Sequence, residues 1–104
     1  MKVVAFNGSP RKRGNTYISL NKVLDTIEAD GGFTTELINL SEKNYRGCTA
    51  CYKCFDAKDG KCHGPKDDIN ELIEKFMEAD GVLVGSPTYF AAVSTEVKAF
   101  MDRV

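Results

Sequence analysis

The sequence predicts an α/β fold in which a parallel β-sheet carries helices on both of its faces. Three short segments, at residues 3–7, 33–40 and 81–85, have the length of β-strands, and the first and the third are predominantly apolar. Stretches with helical periodicity alternate with these segments, and this alternation is typical of right-handed crossovers between parallel strands. The carboxyl ends of the strands should therefore meet at one edge of the sheet, where α/β proteins bind their ligands.

The first strand, at residues 3–7, is almost entirely apolar, as expected for a strand that is buried on both faces. A loop rich in glycine, proline and arginine follows it. Either Asn15 or Thr16 can cap the next helix, which runs to about residue 30 and stops at Gly31 and Gly32. The apolar stripe of this helix consists of Ile18, Leu20, Val23, Leu24 and Ile27.

The second strand, at residues 33–40, leads into residues 41–66, which lack clean periodicity and contain all four cysteines. We interpret this segment as a cysteine-rich insert. Asp67 and Asp68 then cap a second helix, whose apolar residues follow the spacing i, i+3, i+4 and i+7. These apolar residues are Ile69, Leu72, Ile73 and Phe76.

The third strand, at residues 81–85, is followed by a loop that runs from Ser86 to Phe90. Ser94 or Thr95 can begin a third helix. The residues expected to face inward on that helix are Val97, Phe100, Met101 and Val104. If the first and third strands are neighbours, the loops that follow them lie side by side.

The composition indicates one small soluble domain over residues 1–104. A net charge of −1 at pH 7 argues against general binding to nucleic acid or to a membrane surface. No apolar run approaches the roughly 20 residues of a membrane span, and the run at residues 3–6 is too short for a signal-peptide core. We therefore expect a cytoplasmic protein, in which thiols stay reduced.

The loop after the first strand has the residue types that bind phosphate. Backbone N–H groups at a helix N-terminus are combined there with hydroxyl, amide and cationic side chains. These side chains belong to Ser9, Arg11, Lys12, Arg13, Asn15 and Thr16. The patterns GxxxxGK[ST] and GxGxxG are both absent. The loop therefore predicts a phosphate site of another kind, with a simple polar connection and helix cap as the alternative.

The four cysteines follow the pattern C-x2-C-x2-C-x7-C and are Cys48, Cys51, Cys54 and Cys62. Three closely spaced thiolates and a more distant fourth suit a [4Fe–4S] cluster, because each thiolate must reach a different iron. Zinc more often takes two separated C-x2-C pairs, and disulfides require an oxidising compartment. A cluster, zinc, disulfides and free thiols all stay open. The adjacent His63 is either a substitute ligand or a solvated side chain.

Three ordered motifs resemble the NADPH-dependent FMN reductase branch of the flavodoxin-like proteins. They are N-G-S-P-R with G-N-T at residues 7–16, G-S-P-T-Y-F at residues 85–90 and K-A-F-M-D-R at residues 98–103. With the cysteine run between them, the chain is most similar to the iron–sulfur flavoproteins of that branch. The resemblance implies a flavodoxin-like parallel sheet with helices on both faces and FMN as the cofactor.

The resemblance also implies roles for both loops. The first loop would hold the FMN phosphate through Ser9, Arg11, Arg13, Asn15 and Thr16, with Lys12 as a further candidate. The second loop would contact the ribityl chain and the ring through Pro87, Thr88, Tyr89 and Phe90. Tyr89 and Phe90 suit a flat ring because they offer aromatic faces and edges, although core packing under the third helix is the alternative. The four cysteines would hold the cluster.

The preferred interpretation is a redox flavoprotein that transfers electrons between a [4Fe–4S] cluster and FMN. Its electron donor would be a ferredoxin-like protein or a nicotinamide, and its acceptor a small molecule. No residue is singled out as a general base or nucleophile, because the redox chemistry would belong to the cofactors. One alternative is an NAD(P)H-dependent FMN or quinone reductase with structural or redox-sensing cysteines. Another is a zinc- or disulfide-stabilised binding module without flavin.

The chain supplies about three strands, whereas the flavodoxin-like strand order is 2-1-3-4-5. We therefore expect a truncated sheet and the front part of a longer polypeptide. The third strand would then be an exposed apolar edge, which is a template for association. A homo-oligomer is accordingly expected.

Overall fold

The computed structural model describes residues 1–104, and three parallel strands form its single sheet in the order β2-β1-β3. Strand β1 spans Lys2–Asn7, β2 spans Thr34–Asn39 and β3 spans Gly81–Gly85. The central strand β1 pairs in register with both neighbours, so that its last residue, Asn7, lies opposite Asn39 on one side and Gly85 on the other. The predicted parallel sheet is confirmed, and β1 and β3 are neighbours.

Helices cover both faces of the sheet, as the sequence predicts. Helix α1 at Asn15–Ala29 packs on one face. The short helix α2 at Lys53–Ala57 has no buried residue, and α3 at Ile69–Glu78 and α4 at Thr95–Arg103 pack on the other face. A short 3-10 turn at Leu40–Glu42 follows β2. No helix combines the length and the apolar composition that a membrane span requires.

Alternating side chains of β1 build two separate cores. Val4 and Phe6 belong to the larger core, which also contains buried residues of β2, of α3 and of α4. Phe6 lies at its centre, with its ring centroid 4.6 Å from that of Phe100. Val3 and Ala5 face the other way and contact α1 through Leu20 and Leu24. This alternation follows from the two-residue period of a strand and explains why β1 is apolar throughout.

Two predicted apolar faces are narrower in the structure than in the sequence pattern. On α1 only Leu20 and Leu24 are buried, whereas Ile18 and Val23 are exposed. Ile18 lies two residues from Leu20 and Val23 one residue from Leu24, and such offsets turn a side chain away from the contact face of a helix. The prediction of an apolar stripe that includes Ile18 and Val23 was therefore wrong.

The inward positions of the last helix also differ from the prediction. Val97 and Phe100 are buried, but Met101 and Val104 are exposed. Met101 is rotated by about 100° from Phe100, and Val104 follows the helix end. The third buried position of α4 is instead Arg103, a charged residue.

The predicted helix caps have mixed outcomes. Ser94 caps α4, since its Oγ accepts a hydrogen bond of 3.3 Å from Val97 N. The cap of α1 is Gly14, without a side-chain hydrogen bond, rather than Asn15 or Thr16. At α3, the carboxylate of Asp67 accepts from Ile69 N at 3.2 Å, whereas Asp68, the N-cap residue, makes no capping bond through its side chain. The insert also contains one element that its sequence does not reveal, the five-residue helix α2.

Candidate functional site

The loops that follow β1 and β3 are joined at their first residues. The backbone N–H of Gly8 donates to the carbonyl oxygen of Gly85 at 2.8 Å, so the pairing of the two strands continues into the loops. The hydroxyl of Ser94, which is buried at the start of α4, donates to the carbonyl oxygen of Gly8 at 2.5 Å. The structure thus brings together the two predicted cofactor loops and the beginning of α4.

Glycine is required at both strand ends because other elements approach them closely. A Cβ at Gly8 would lie 2.0 Å from Cγ2 of Val97 and 2.9 Å from the carbonyl oxygen of Gly85. A Cβ at Gly85 would lie 2.8 Å from Cγ2 of Thr16 and 2.9 Å from Cδ1 of Leu20. Because these glycines have no side chain, α4 contacts the backbone after β1 directly through Val97. Helix α1 contacts the backbone at the end of β3 in the same way, through Thr16 and Leu20.

Asn7 organises the start of the first loop, a role that the sequence analysis did not assign. Its side chain is buried, accepts from Ser9 N at 3.1 Å and donates to Oδ1 of Asn39 at 2.9 Å. The hydroxyl oxygen of Ser9 in turn accepts from Arg11 N at 3.1 Å. A polar residue at the end of an otherwise apolar strand was the signal that could have identified Asn7. These bonds hold the loop in one shape.

The residues predicted to bind phosphate surround the N-terminus of α1. Ser9 is buried and Thr16 is half-buried, while the other predicted side chains are exposed. The first turn of α1 has no acidic residue and no side-chain cap, so its N–H groups face no competing side-chain acceptor there. This arrangement fits a phosphate, which helix N-termini and cations attract. Lys12 is the exception, because its Nζ lies 3.1 Å from Oε1 of Glu42.

The loop after β3 contains a tight hairpin. Tyr89 and Ala92 exchange two backbone hydrogen bonds, of 2.9 and 3.0 Å, across a two-residue turn. Both turn residues have positive φ angles, 48° at Phe90 and 62° at Ala91, as in a type I′ turn. Non-glycine residues in this region carry strain of roughly 1–2 kcal/mol each.

The hairpin presents aromatic side chains to the outside. Phe90 is fully exposed and Tyr89 is about half exposed, so Phe90 does not pack in the core beneath α4.

The base of the loop is held by Ser86, whose Oγ accepts from Ser94 N at 2.9 Å and donates to the carbonyl oxygen of Pro87 at 2.8 Å. Thr88 is also exposed. No cavity of the chain is lined by residues of both loops. The ring side of the candidate site is therefore an open surface.

All four cysteines border one region at the opposite end of α4. Cys48, Cys54 and Cys62 line a cavity of about 370 Å³ together with Arg103. A Cβ on Gly64 would lie 3.6 Å from the sulfur atoms of both Cys51 and Cys62, which places the fourth cysteine beside this group. Nevertheless, no three cysteine, histidine, aspartate or glutamate side chains converge closely enough to hold a metal ion.

The chemistry of this donor set fits an iron–sulfur cluster, although the thiols are not gathered at one point. Three of them, at Cys48, Cys51 and Cys54, are exposed, and Cys62 is half-buried. Cys62 is held by a pair of hydrogen bonds with the side chain of Asn70, one of 2.8 Å to its N–H and one of 2.9 Å to its carbonyl oxygen. The arrangement thus has one anchored thiol and three accessible ones.

His63 forms an exposed pair with Asp59. Its Nε2 lies 2.8 and 3.0 Å from the two carboxylate oxygens, and the hydrogen bond from this histidine lowers the pKa of Asp59. This nitrogen is therefore engaged outside the cysteine group.

Arg103 is a further functional candidate, and the sequence assigns it no role although it belongs to the motif at residues 98–103. Its guanidinium is buried and donates to Oδ2 of Asp67 at 2.5 Å and to the sulfur of Cys62 at 3.4 Å. It also donates to the carbonyl oxygens of Arg46 and Pro65, each at 3.0 Å. No local sequence pattern signals these contacts, because the partners lie 36 to 57 residues away along the chain.

Asp67 and Arg103 each favour the charged form of the other. Burial raises the pKa of Asp67, but the hydrogen bond and the charge of Arg103 outweigh it, and the net shift is downward. Burial lowers the pKa of Arg103, whereas its bonds to Asp67 and Cys62 raise it, and the net shift is upward. Both groups are therefore ionised at neutral pH.

Comparison with known proteins relates the whole chain to one family. The family described as NADPH-dependent FMN reductase matches residues 1–104. An iron–sulfur flavoprotein of Methanocaldococcus jannaschii is 43% identical over 103 residues, which cover 99% of this chain and 51% of that protein. An iron–sulfur flavoprotein of Archaeoglobus fulgidus is 41% identical over 103 residues, which cover 99% of this chain and 48% of that protein.

A more distant relative has a different name. An NAD(P)H dehydrogenase (quinone) of Trichlorobacter lovleyi is 24% identical over 90 residues, covering 86% of this chain and 42% of that protein. The chain thus spans about half the length of the curated relatives that it matches. No solved structure matches the chain.

Proposed function

We propose that this chain, which belongs to the NADPH-dependent FMN reductase family, is the FMN-binding part of a redox flavoprotein that transfers electrons between an iron–sulfur cluster and FMN. The observation that supports the proposal is the hydrogen bond from Gly8 N to Gly85 O, because it joins the loop proposed to bind phosphate to the loop that contains Tyr89 and Phe90, at the carboxyl edge of a parallel sheet. The names of the relatives from M. jannaschii and A. fulgidus support the cluster.

The first loop would bind the phosphate of FMN. The N–H groups of the first turn of α1 and the hydroxyls of Ser9 and Thr16 supply donors, and Arg11 and Arg13 supply positive charge. Asn15, at the first position of the helix, adds an amide donor. The internal bonds of Asn7 and Ser9 prepare the loop in advance, which reduces the entropy lost on binding.

The second loop would border the ribityl chain and the flavin ring. Pro87 and Thr88 lie nearest the sheet edge, and the hairpin places Tyr89 and Phe90 beyond them. An exposed aromatic residue on a strained turn is unfavourable in water, and strain of this kind is concentrated at functional sites. Contact with a flat ring would shield the apolar surface of these side chains.

The insert would hold the iron–sulfur group through Cys48, Cys51, Cys54 and Cys62. When bound, the cluster supplies one-electron exchange and FMN supplies one- or two-electron exchange. Cys62 is anchored by Asn70 and Arg103, whereas the other thiols lie on a segment whose backbone has positive φ at Ala50 and Tyr52. Closure of this segment on the cluster would couple metal binding to local ordering.

We further propose that the electrons come from a ferredoxin-like protein or a nicotinamide and leave to a small-molecule acceptor, so that the donor is oxidised as the acceptor is reduced. Association of two copies through the sheet edge is also proposed, because β3 lies at that edge and exposes Val84.

The test is an analysis of cofactors on one sample. The protein is purified without oxygen, reconstituted with FMN, iron and sulfide, and assayed for flavin, iron, sulfide and zinc alongside its visible spectrum. We expect stoichiometric FMN and about four irons and four sulfides per chain, the content of one [4Fe–4S] cluster. Colourless protein with stoichiometric zinc would refute the proposal in favour of a binding module.

A second candidate is an NAD(P)H-dependent FMN or quinone reductase without a cluster. It is favoured by the separation of the thiols and by the name of the relative from T. lovleyi. Under this alternative, iron-free protein loaded with FMN would oxidise NAD(P)H at the same rate as reconstituted protein. A rate that depends on iron would decide against it.

A further inference from the structure

Arg103 connects the end of α4 to both sides of the cysteine segment. Its four hydrogen bonds reach Arg46, which lies two residues before Cys48, and Cys62, Pro65 and Asp67 at the other end of the segment. The side chain is buried, so these bonds are shielded from competition by water. One residue thus connects both ends of the cysteine segment to α4.

The guanidinium still has an unused donor. Its Nε is buried without a hydrogen-bond partner, although a buried, unpaired N–H is unfavourable. Arg103 also lines the cavity that Cys48, Cys54 and Cys62 border. A further acceptor in this region, such as a cluster sulfur, would satisfy the donor.

Arg103 lies between the sulfur of Cys62 and the carboxylate of Asp67. The Arg103 cation contacts the Cys62 sulfur directly, at 3.4 Å, and the Asp67 anion contacts Arg103 on its other terminal nitrogen, at 2.5 Å. A reduced cluster carries one more negative charge than an oxidised one. Hydrogen bonds to its sulfurs and nearby positive charge therefore favour the reduced state and raise the reduction potential.

We propose that Arg103 is a positioning residue for the iron–sulfur group: it holds Cys62 in place as a ligand and, by donating to sulfur, raises the reduction potential of the bound cluster. Asp67 opposes this effect by partly neutralising the guanidinium. The inference rests on the proposed function, since it requires that the cysteines hold a cluster.

The experiment measures the midpoint potential of the reconstituted full chain by mediated titration of its visible absorbance. Four variants are compared with the parent: Arg103→Met, Arg103→Lys, Asp67→Asn and Lys22→Met. The last is the control, because Lys22 is an exposed cation of α1 that does not line the cysteine cavity. Iron content and circular dichroism are recorded for each sample.

We expect Arg103→Met to lower the reduction equilibrium constant about tenfold, which is about 59 mV for one electron. Arg103→Lys restores part of the shift, because it keeps the charge but not the planar set of donors. Asp67→Asn shifts the potential in the opposite direction, and Lys22→Met leaves it unchanged. Potential shifts of opposite sign in Arg103→Met and Asp67→Asn would distinguish this electrostatic effect from a loss of structure. A loss of structure would not make the direction of the shift follow the charge that was removed.

Equal potentials for the parent and Arg103→Met, at equal iron content, would overturn the inference while leaving the proposed function intact. A parent protein that takes up no iron and sulfide would instead refute the cluster, and the inference with it. If Arg103→Met does not fold, the potentials of the Asp67→Asn and Arg103→Lys variants test the inference instead. A potential that fails to rise in Asp67→Asn and to fall in Arg103→Lys would then refute the role of Arg103.

Discussion

The backbone N–H of Gly8 lies 2.8 Å from the carbonyl oxygen of Gly85, and this single bond unites loops that are separated by more than 70 residues in the chain. It forms because β1 and β3 are parallel neighbours in register. It also requires that neither residue has a side chain, since Thr16 and Val97 occupy the space where a Cβ would be. The candidate cofactor site therefore depends on close backbone contact.

Gly8→Ala should destabilise the protein and weaken FMN binding. The added methyl would lie 2.0 Å from Cγ2 of Val97, and overpacking of this kind lowers the free energy of unfolding by about 1–3 kcal/mol. Urea unfolding and FMN fluorescence titration measure the two effects. Gly47→Ala is the control, because its Cβ would meet Oδ2 of Asp102 at an ordinary 3.5 Å. Equal stability of the two variants would contradict this account.

Replacing both Arg11 and Thr16 with alanine should weaken FMN much more than riboflavin. Only FMN has the phosphate, and a hydrogen bond to a charged group is worth about 1.5–3 kcal/mol, or roughly tenfold to a hundredfold in affinity. Fluorescence titration with both flavins provides the comparison. Lys22→Ala removes a cation from the exposed middle of α1 and should change neither affinity. Equal losses for the two flavins would exclude the first loop as the phosphate site.

Cys51→Ser should abolish the absorbance of the iron–sulfur group and leave FMN binding unchanged. The cysteine region and the candidate flavin loops lie at opposite ends of α4, with Ser94 at one end and Arg103 at the other. A serine hydroxyl is a poor replacement for a thiolate ligand. Iron analysis and flavin titration are made on the same sample, with Thr49→Ser as a neighbouring control. Simultaneous loss of iron and FMN would mean that the insert is structural.

Asp67→Asn should remove part of the acid sensitivity of the fold. The pKa of Asp67 is lowered in the folded state below the ordinary value of 3.8. Its ionised form therefore stabilises the fold above that value, and the contribution is lost as the pH falls through the folded-state pKa. Urea unfolding of the iron-free protein should show a lower stability than the parent at pH 7, and this difference should shrink below about pH 3.8. A difference that is independent of pH would show that Asp67 does not titrate with folding.

Ala91→Gly should stabilise the hairpin of the second loop. Ala91 has a φ of 62°, which glycine adopts without strain, and relief of that strain is worth about 1 kcal/mol. The adjacent Ala92→Gly has no such strain to relieve and should lower the stability instead, through the greater freedom of the unfolded chain. Thermal unfolding of both variants distinguishes the effects. A decrease in stability for Ala91→Gly would show that the turn is not strained.

The local chemistry of the chain was sufficient to predict the elements of the sheet. Two patterns were sufficient: the apolar run of β1, and the helical spacing of Ile69, Leu72 and Ile73 in α3. Both can be read from a few neighbouring residues, because buried side chains recur every two residues in a strand and every three or four residues in a helix. Ile18 and Met101 show the limit of such patterns. Their apolar character is evident in the sequence, but only the position of the neighbouring element decides whether they are covered.

What the sequence by itself determined is the alternation of strands with helices, the position of the two candidate cofactor loops at the sheet edge and the presence of four closely spaced thiols. Only the tertiary structure decided that Asn7 fixes the first loop, that Phe90 is fully exposed on a strained turn and that Arg103 contacts Cys62. The reason is physical. A helix or strand is favoured by residues close to it in sequence, whereas the contacts of a buried guanidinium depend on distant segments that meet only after the sheet and its helices have assembled.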